Sequence, residues 1–269
     1  MTQETPLAGR VALVTGAARR RGIGRGIALV LARSGADVAV NDVAEDEQGA
    51  ERVREVEALG RRAVFVNADV RDPEAVRRMF DTAEEALGPV DVFVNNAGVC
   101  VWQNVREVDR EAFDLIMGVN LAGALLCCRE AAQRMVRRGR GGRIVIISSV
   151  HAQMPFPRMA VYGATKNALR ALSDHLALEL APHGITVNHV GPGWVDSDIN
   201  LASPDLRTQA DRQRTLDAIP LHRPAEPEDI GAAVSFLASD AAAYVTGAFL
   251  RVDGGFVVGK YTRIAEVAP

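Results

Sequence analysis

The chain has 269 residues, 48% hydrophobic and 24% charged, with a formal net charge of −3 at pH 7. This balance excludes a disordered polypeptide and offers no basic bias for nucleic acid, so partners must be inferred from sites rather than from bulk charge. Its three cysteines, Cys100, Cys127 and Cys128, build no disulfide framework and lack metal-ligand spacing. A reducing cytoplasm and no metal are therefore the expectations. The N-terminal stretch MTQETPLAGR has no apolar signal core, and no uncharged apolar run reaches membrane-spanning length.

In chain order, short β-branched runs read as strands at 11–14 (VALV), 37–40 (DVAV), 63–66 (AVFV), 90–94 (VDVFV), 143–148 (RIVIIS) and 185–190 (ITVNHV), with a seventh near 248–252. Segments of helical periodicity lie between them at 24–34, 45–59, 73–86, 105–136 and 160–181. Several stop at a glycine: Gly35, Gly60 or Gly88. Strict alternation predicts an α/β fold, a single doubly wound parallel seven-stranded sheet flanked by helices. The strands are continuous apolar runs, so both sheet faces should be covered. No linker or repeat divides the chain, and one domain over 1–269 is expected. The polar segment near 194–226 breaks the rhythm, as a substrate lid would.

After the first strand, Gly16, Gly22 and Gly24 fall where a strand turns tightly into a helix. Small residues there let backbone N–H groups and the helix N-terminus approach a pyrophosphate. The spacing G-x-G-x-x-G itself is absent. Asp42 ends the second strand eighteen residues beyond Gly24, near the spacing of a ribose-binding carboxylate. A carboxylate there repels a 2′-phosphate, which favours NAD. Arg19, Arg20 and Arg21 could neutralise such a phosphate, so NADP stays open.

Further on, Ser149 precedes Tyr162 by thirteen residues and Lys166 follows it by four. Residues four apart share a helix face. A tyrosine is a poor base at neutral pH, and a nearby ammonium favours its phenolate.

These pieces, taken with NNAG at 95–98, GVNLAG around Asn120, YGATK at 162–166, GPGWV at 191–195, RPAEPEDI at 223–230 and SDAAAYVTGAFLRVDGG at 239–255, stand in one order along nearly the whole chain. In that order the sequence resembles the classical short-chain dehydrogenase/reductase family. The resemblance implies a Rossmann-type NAD(P)-binding catalytic domain and a tetrad of Asn120, Ser149, Tyr162 and Lys166. Tyr162 would exchange a proton with a substrate hydroxyl or carbonyl while hydride moves to or from nicotinamide. Lys166 would also hold the nicotinamide ribose, and Asn120 would help order a water relay. The implied cofactor set comprises Gly16, Arg21, Gly22, Ile23 and Gly24, Asp42 with Val43, Asp69 with Val70 at the adenine, Asn96, Ala97 and Gly98 beneath the cofactor, and Pro192, Gly193 and Val195 at the carboxamide, together with Tyr162 and Lys166. One departure stands out: five residues separate Gly16 from Gly22, where the family usually has three, and the extra positions fall in the arginine run.

The pocket should lie beyond the carboxyl ends of the strands, with Trp102, Ser149, His151, Gln153 and Trp194 as substrate-binding candidates and Phe156 nearby. Indole, imidazole and amide groups suit a polyol, sugar or hydroxy acid. The competing reading is an NADPH-dependent 3-ketoacyl-(acyl carrier protein) reductase, for which Arg134, Arg137, Arg138, Arg140 and Arg143 could form a basic landing patch. A catalytically silent nucleotide-binding regulator would be marked by a broken tetrad, and all four positions are intact. The resemblance also implies a homotetramer, with the helices around 105–136 and 160–181 at one interface.

Overall fold

The protein, a computed structural model, is described over residues 5–43, 47–201 and 208–259. In the first half β1 (Val11–Val14), α1 (Ile23–Arg33), β2 (Asp37–Asp42), α2 (Glu47–Glu57), β3 (Ala63–Asn67), α3 (Pro73–Leu87) and β4 (Val92–Asn95) alternate. There follow α4 (Arg110–Met117), a π-helical turn Gly118–Gly123, α5 (Ala124–Arg138), β5 (Gly142–Ile147), α6 (Ala160–Leu180) and β6 (Ile185–Pro192). The short α7 (Asp198–Leu201), α8 (Gln209–Asp217) and α9 (Pro227–Ala238) precede β7 (Phe249–Val252) and α10 (Phe256–Gly259). All seven strands pair in parallel, in the order β3-β2-β1-β4-β5-β6-β7. The order reverses between β1 and β4, which opens a crevice at their carboxyl ends.

Both faces of the sheet are covered, as continuous apolar strands require. On one face Leu13, Phe93, Ile144 and Val187 meet Met79 and Phe80 of α3, Cys127 and Met135 of α5 and Leu169 of α6. On the other, Val14, Val38, Val92 and Val190 meet Ile27 and Leu31 of α1 and Ile230 and Val234 of α9. Local signals set the helix ends. Asp72 caps α3 by accepting the Glu74 N–H at 2.9 Å, Pro73 occupies the first turn, and Gly88 closes the helix with a φ of 104°.

Two expectations need correction. The helix expected over 105–136 begins at Arg110, because Asp109 accepts the Ala112 N–H at 2.7 Å and caps it there. It also carries a π-helical turn at Gly118–Gly123 within one continuous helix Arg110–Arg138; a Cβ on Gly123 would lie 2.8 Å from Val70 Cγ2. An 18-residue window of Arg110–Arg138 has a mean hydropathy of 1.5, a composition that also suits a membrane span. Cys127, Cys128, Ala131 and Met135 turn that apolar face onto the sheet. Residues 202–207 of the expected lid, and 45 and 46 of the expected second helix, lie outside the described residues.

Candidate active site

The crevice is built around the turn from β1 to α1. Gly16 takes a φ of 65°, and a Cβ on it would stand 2.8 Å from Ala97 Cα. One on Gly24 would stand 2.4 Å from Gly16 O and 2.6 Å from Asn96 Nδ2. Only glycine fits both positions. Asn96 and Thr15 brace the turn. The Asn96 amide donates to Thr15 O at 2.9 Å and Gly16 O at 3.0 Å, while Thr15 Oγ1 accepts the N–H groups of Asn96 and Ala97 at 3.0 and 3.1 Å.

Gly22 precedes α1, and Ile23 and Gly24 begin it, with no side-chain cap and no acidic residue in the first turn. Its leading N–H groups are therefore available to an anion. At the end of β2, Asp42 accepts the Ala18 N–H at 3.1 Å and the Val43 N–H at 2.9 Å. A glycine cradle with no room for a Cβ at Gly16 or Gly24, an uncapped helix start and a carboxylate at the next strand end together fit a dinucleotide. Arg21 turns away from this cradle and donates to both carboxylate oxygens of Asp196 at 2.8 and 2.9 Å. Asp69 pairs with Arg71, whose guanidinium hydrogen-bonds its carboxyl and holds it below the ordinary range. Val70 is buried beside Gly123.

The four tetrad positions converge at the carboxyl ends of β4 and β5. Ser149 follows β5 in extended conformation, and its Oγ accepts the His151 N–H at 3.1 Å. A side-chain hydrogen bond joins Ser149 to Tyr162. Lys166 lies one turn along α6, almost wholly buried, with Nζ 5.4 Å from the Tyr162 ring centroid and donating to Ile147 O at 3.1 Å. An ammonium has three donors, and this single carbonyl satisfies one of them. Burial pushes the amine down from 10.5 to about 8. Burial also pushes the Tyr162 phenol well above its ordinary value, an effect its bond to Ser149 opposes.

Asn120 sits in the π turn with its amide committed to the protein. Oδ1 accepts the Val99 N–H at 2.8 Å, and Nδ2 donates to Val99 O at 2.9 Å and Thr165 Oγ1 at 3.2 Å. Gly98 runs beside this pair; a Cβ there would stand 3.3 Å from Lys166 Nζ and 3.5 Å from Asn120 Oδ1. Burial raises the Cys100 thiol to about 12, so it is no nucleophile at neutral pH.

Aromatic groups line the approach to Tyr162. His151 stands 6.3 Å from the Tyr162 ring and 5.6 Å from Phe156, which meets Trp102 edge-on at 6.3 Å. His151 Nδ1 lies 3.0 Å from Met154 O. Arg158 has a left-handed φ of 63°, and its carbonyl accepts the Gln103 N–H at 3.0 Å, tying the two pocket loops together. Gln153 is exposed at the end of the turn after Ser149. Trp194 is half-buried and packs on the apolar cluster of Val150, Met154, Ile219, Phe256 and Val257. Gly193 donates to Val252 O at 3.0 Å as Pro192 ends β6. Val195 is fully buried in the core beneath α1 and α9, so only its main chain can face the crevice.

The expected arginine patch is largely dismantled by internal ion pairs. Arg134 meets Asp81 and Glu84 at 2.6 Å and Glu130 at 2.7 Å, Arg138 meets Asp91 at 3.0 Å, and Arg143 meets Asp240 at 3.3 Å. Arg137 and Arg140 stay exposed.

Sequence reasoning overlooked Thr15, Thr165 and the π turn. Thr15 directly precedes Gly16, and a threonine beside a turn glycine is itself a signal for side-chain bonding to the backbone. Two glycines five apart within a helical run, Gly118 and Gly123, marked the π turn.

Fold and crevice together fit a dinucleotide-dependent enzyme. Residues 16–257 match the family profile described as Enoyl-(Acyl carrier protein) reductase. The chain is 42% identical over 252 residues to L-rhamnose 1-dehydrogenase (NAD(P)(+)) of Sphingomonas sp. (strain SKA58), covering 94% of this chain and 98% of that one. It is 39% identical over 256 residues to L-2,3-butanediol dehydrogenase of Corynebacterium glutamicum, covering 92% and 98%. Among solved structures, the gluconate 5-dehydrogenase of Burkholderia cenocepacia J2315 in complex with NADP and tartrate superposes with a TM-score of 0.88 at 33% identity, covering 95% and 98%. The chain belongs to the short-chain dehydrogenase/reductase family.

Proposed function

We propose that this protein is an NAD(P)-dependent oxidoreductase that interconverts a secondary alcohol and its ketone on a small polar substrate such as a polyol, sugar or hydroxy acid. The observation that carries the reading is Tyr162 hydrogen-bonded to Ser149, with the buried Lys166 ammonium 5.4 Å from its ring, at the mouth of a glycine-lined crevice. Relatives named for rhamnose, butanediol and gluconate support the substrate class. The internal pairing of Arg134, Arg138 and Arg143 counts against a carrier-protein substrate.

In this reading Gly16, Gly22, Ile23 and Gly24 hold the diphosphate, Asp42 and Val43 the adenosine ribose, Asp69 and Val70 the adenine. Asn96, Ala97 and Gly98 form the floor, Pro192, Gly193 and the Val195 main chain face the carboxamide, and Lys166 binds the second ribose with the donors that Ile147 leaves over. The bound nicotinamide supplies the hydride acceptor or donor. Ser149 holds the substrate oxygen. In reduction the Tyr162 hydroxyl gives that oxygen its proton, a role suited to a phenol that burial keeps protonated. In oxidation the phenolate takes the proton, and the Lys166 charge is what this chain offers to stabilise it. Asn120 acts through its main chain, since its side chain is occupied by Val99 and Thr165. Trp102, His151 and Gln153 contact the rest of the substrate, and Trp194 stands at the base of the polar segment that begins at 194 in this single domain.

NAD is the preferred cofactor, because the Asp42 carboxylate repels a 2′-phosphate while Arg20 and Arg21 are drawn off to Glu51 and Asp196. The protein works in the cytoplasm as a homotetramer, and exposed Phe113, Leu125 and Leu178 on α4, α5 and α6 supply apolar surface for assembly. Fluorescence titration with NADH and NADPH, followed by an absorbance screen of polyols, sugars, hydroxy acids and ketoacyl thioesters, tests the reading. Tighter NADH binding with polyol, sugar or hydroxy-acid turnover is expected. NADPH preference with thioester turnover would overturn it.

A further inference from the structure

The residues that lengthen the β1–α1 turn lie in the run Arg19–Arg21, and two of these arginines have partners in opposite directions. Arg20 donates from Nε to Glu51 at 2.9 Å and from its N–H to Gln48 Oε1 at 3.2 Å, both on α2. Arg21 reaches the other way. Its guanidinium donates to both oxygens of Asp196 at 2.8 and 2.9 Å, and its carbonyl accepts the Asp198 N–H at 3.2 Å. One side-chain tie and one main-chain tie thus join segments 175 residues apart in sequence. Arg21 directly precedes Gly22 at the start of α1, and Asp196 directly follows the core residue Val195, so the ties connect the two lips of the crevice.

We infer that the Arg21–Asp196 pair is a latch across the dinucleotide crevice that slows cofactor exchange. The inference rests on the cofactor-binding reading above: a diphosphate on the start of α1 lies between these lips, and it can leave sideways only when the ties part. The added loop length lets Arg21 span the gap while Arg20 anchors the loop to α2. Both partners are about half exposed, at 53% and 47%, so water competes for them and salt weakens the latch. It retards exchange without blocking it. An exposed pair of this kind accounts for up to about a fivefold change in rate or equilibrium.

Stopped-flow release of NADH from the full-length protein tests the latch, with Arg21→Ala, Asp196→Ala, the double variant and the exchanged pair Arg21→Asp/Asp196→Arg. Each single variant should release NADH about three- to fivefold faster, the double variant no faster than either, and the exchanged pair more slowly than the singles. High salt should accelerate the wild type more than the variants. Amide exchange at Asp198, followed in cofactor-free protein, should quicken in Arg21→Ala. Wild-type release rates in both single variants would overturn the latch. So would weaker NADH binding in Arg21→Ala with tighter binding in Asp196→Ala, because Arg21 would then be a phosphate ligand that Asp196 holds back. A wild type that binds neither NADH nor NADPH would overturn the cofactor reading and the latch with it, whereas unaltered release from a wild type that binds NADH removes the latch alone.

Discussion

His189 makes the fold sensitive to acid. It is 1% exposed on β6, stacked on Phe249 at 4.6 Å and 11°, and neither ring nitrogen has a hydrogen-bond partner among the described residues. Burial pushes it from 6.5 to about 4; the Asp174 charge opposes this and the Arg170 charge adds to it. The folded state therefore refuses a proton that the unfolded chain accepts between those values. Stability is fully present above pH 6.5 and is lost as the pH falls toward 4. At about 1.4 kcal/mol per pH unit, the whole window amounts to about 3 kcal/mol, of which about 2 is lost by pH 5. Urea denaturation at fixed protein concentration between pH 7.5 and 4.5 measures the slope. His189→Leu, which keeps the packing on Phe249 and removes the titration, should flatten the curve by that amount while carboxylate titrations remain. Parallel curves for the two proteins would refute the reasoning.

Lys166 carries a stability cost for the sake of its site. With its amine at about 8 in place of 10.5, the unfolded chain binds more proton between those values and stability rises with pH across them. Lys166→Met should remove that slope and gain roughly 1–3 kcal/mol at pH 7 in a denaturant melt, with turnover lost. Gly98→Ala places a methyl 3.3 Å from Lys166 Nζ and 3.5 Å from Asn120 Oδ1; kcat should fall about tenfold or more with little change in melting temperature. Asp42→Ala should weaken NADH more than NADPH in fluorescence titration, and equal losses would remove Asp42 from the ribose site.

The sheet could be read from the sequence because each strand is a short continuous apolar run, and both buried faces demand that pattern. Strand and helix ends were legible where a cap or a glycine marks them, as at Asp72 and Gly88. The π turn in the long helix was signalled only by Gly118 and Gly123, and the reason for the second glycine, its close approach to Val70, lies in the packing. At the site, Tyr162 and Lys166 lie one turn apart on α6, as their spacing requires, and Ser149 follows β5. Pairing decided the rest. In one dimension Arg21 reads as a cofactor ligand and Arg134 as part of a landing patch, yet their carboxylate partners Asp196 and Asp81 lie far along the chain. Trp194 and Val195 likewise pack on apolar clusters, which only the packing of α10 and α9 reveals.

The most direct test is to compare Tyr162→Phe with the wild type in two assays on the same preparation: steady-state turnover of the best alcohol found in the screen, and NADH affinity by fluorescence. Loss of the proton-exchanging hydroxyl should lower turnover by at least about a thousandfold while NADH affinity changes little. Turnover within about tenfold of the wild type would contradict the assignment of Tyr162 and the mechanism built on it.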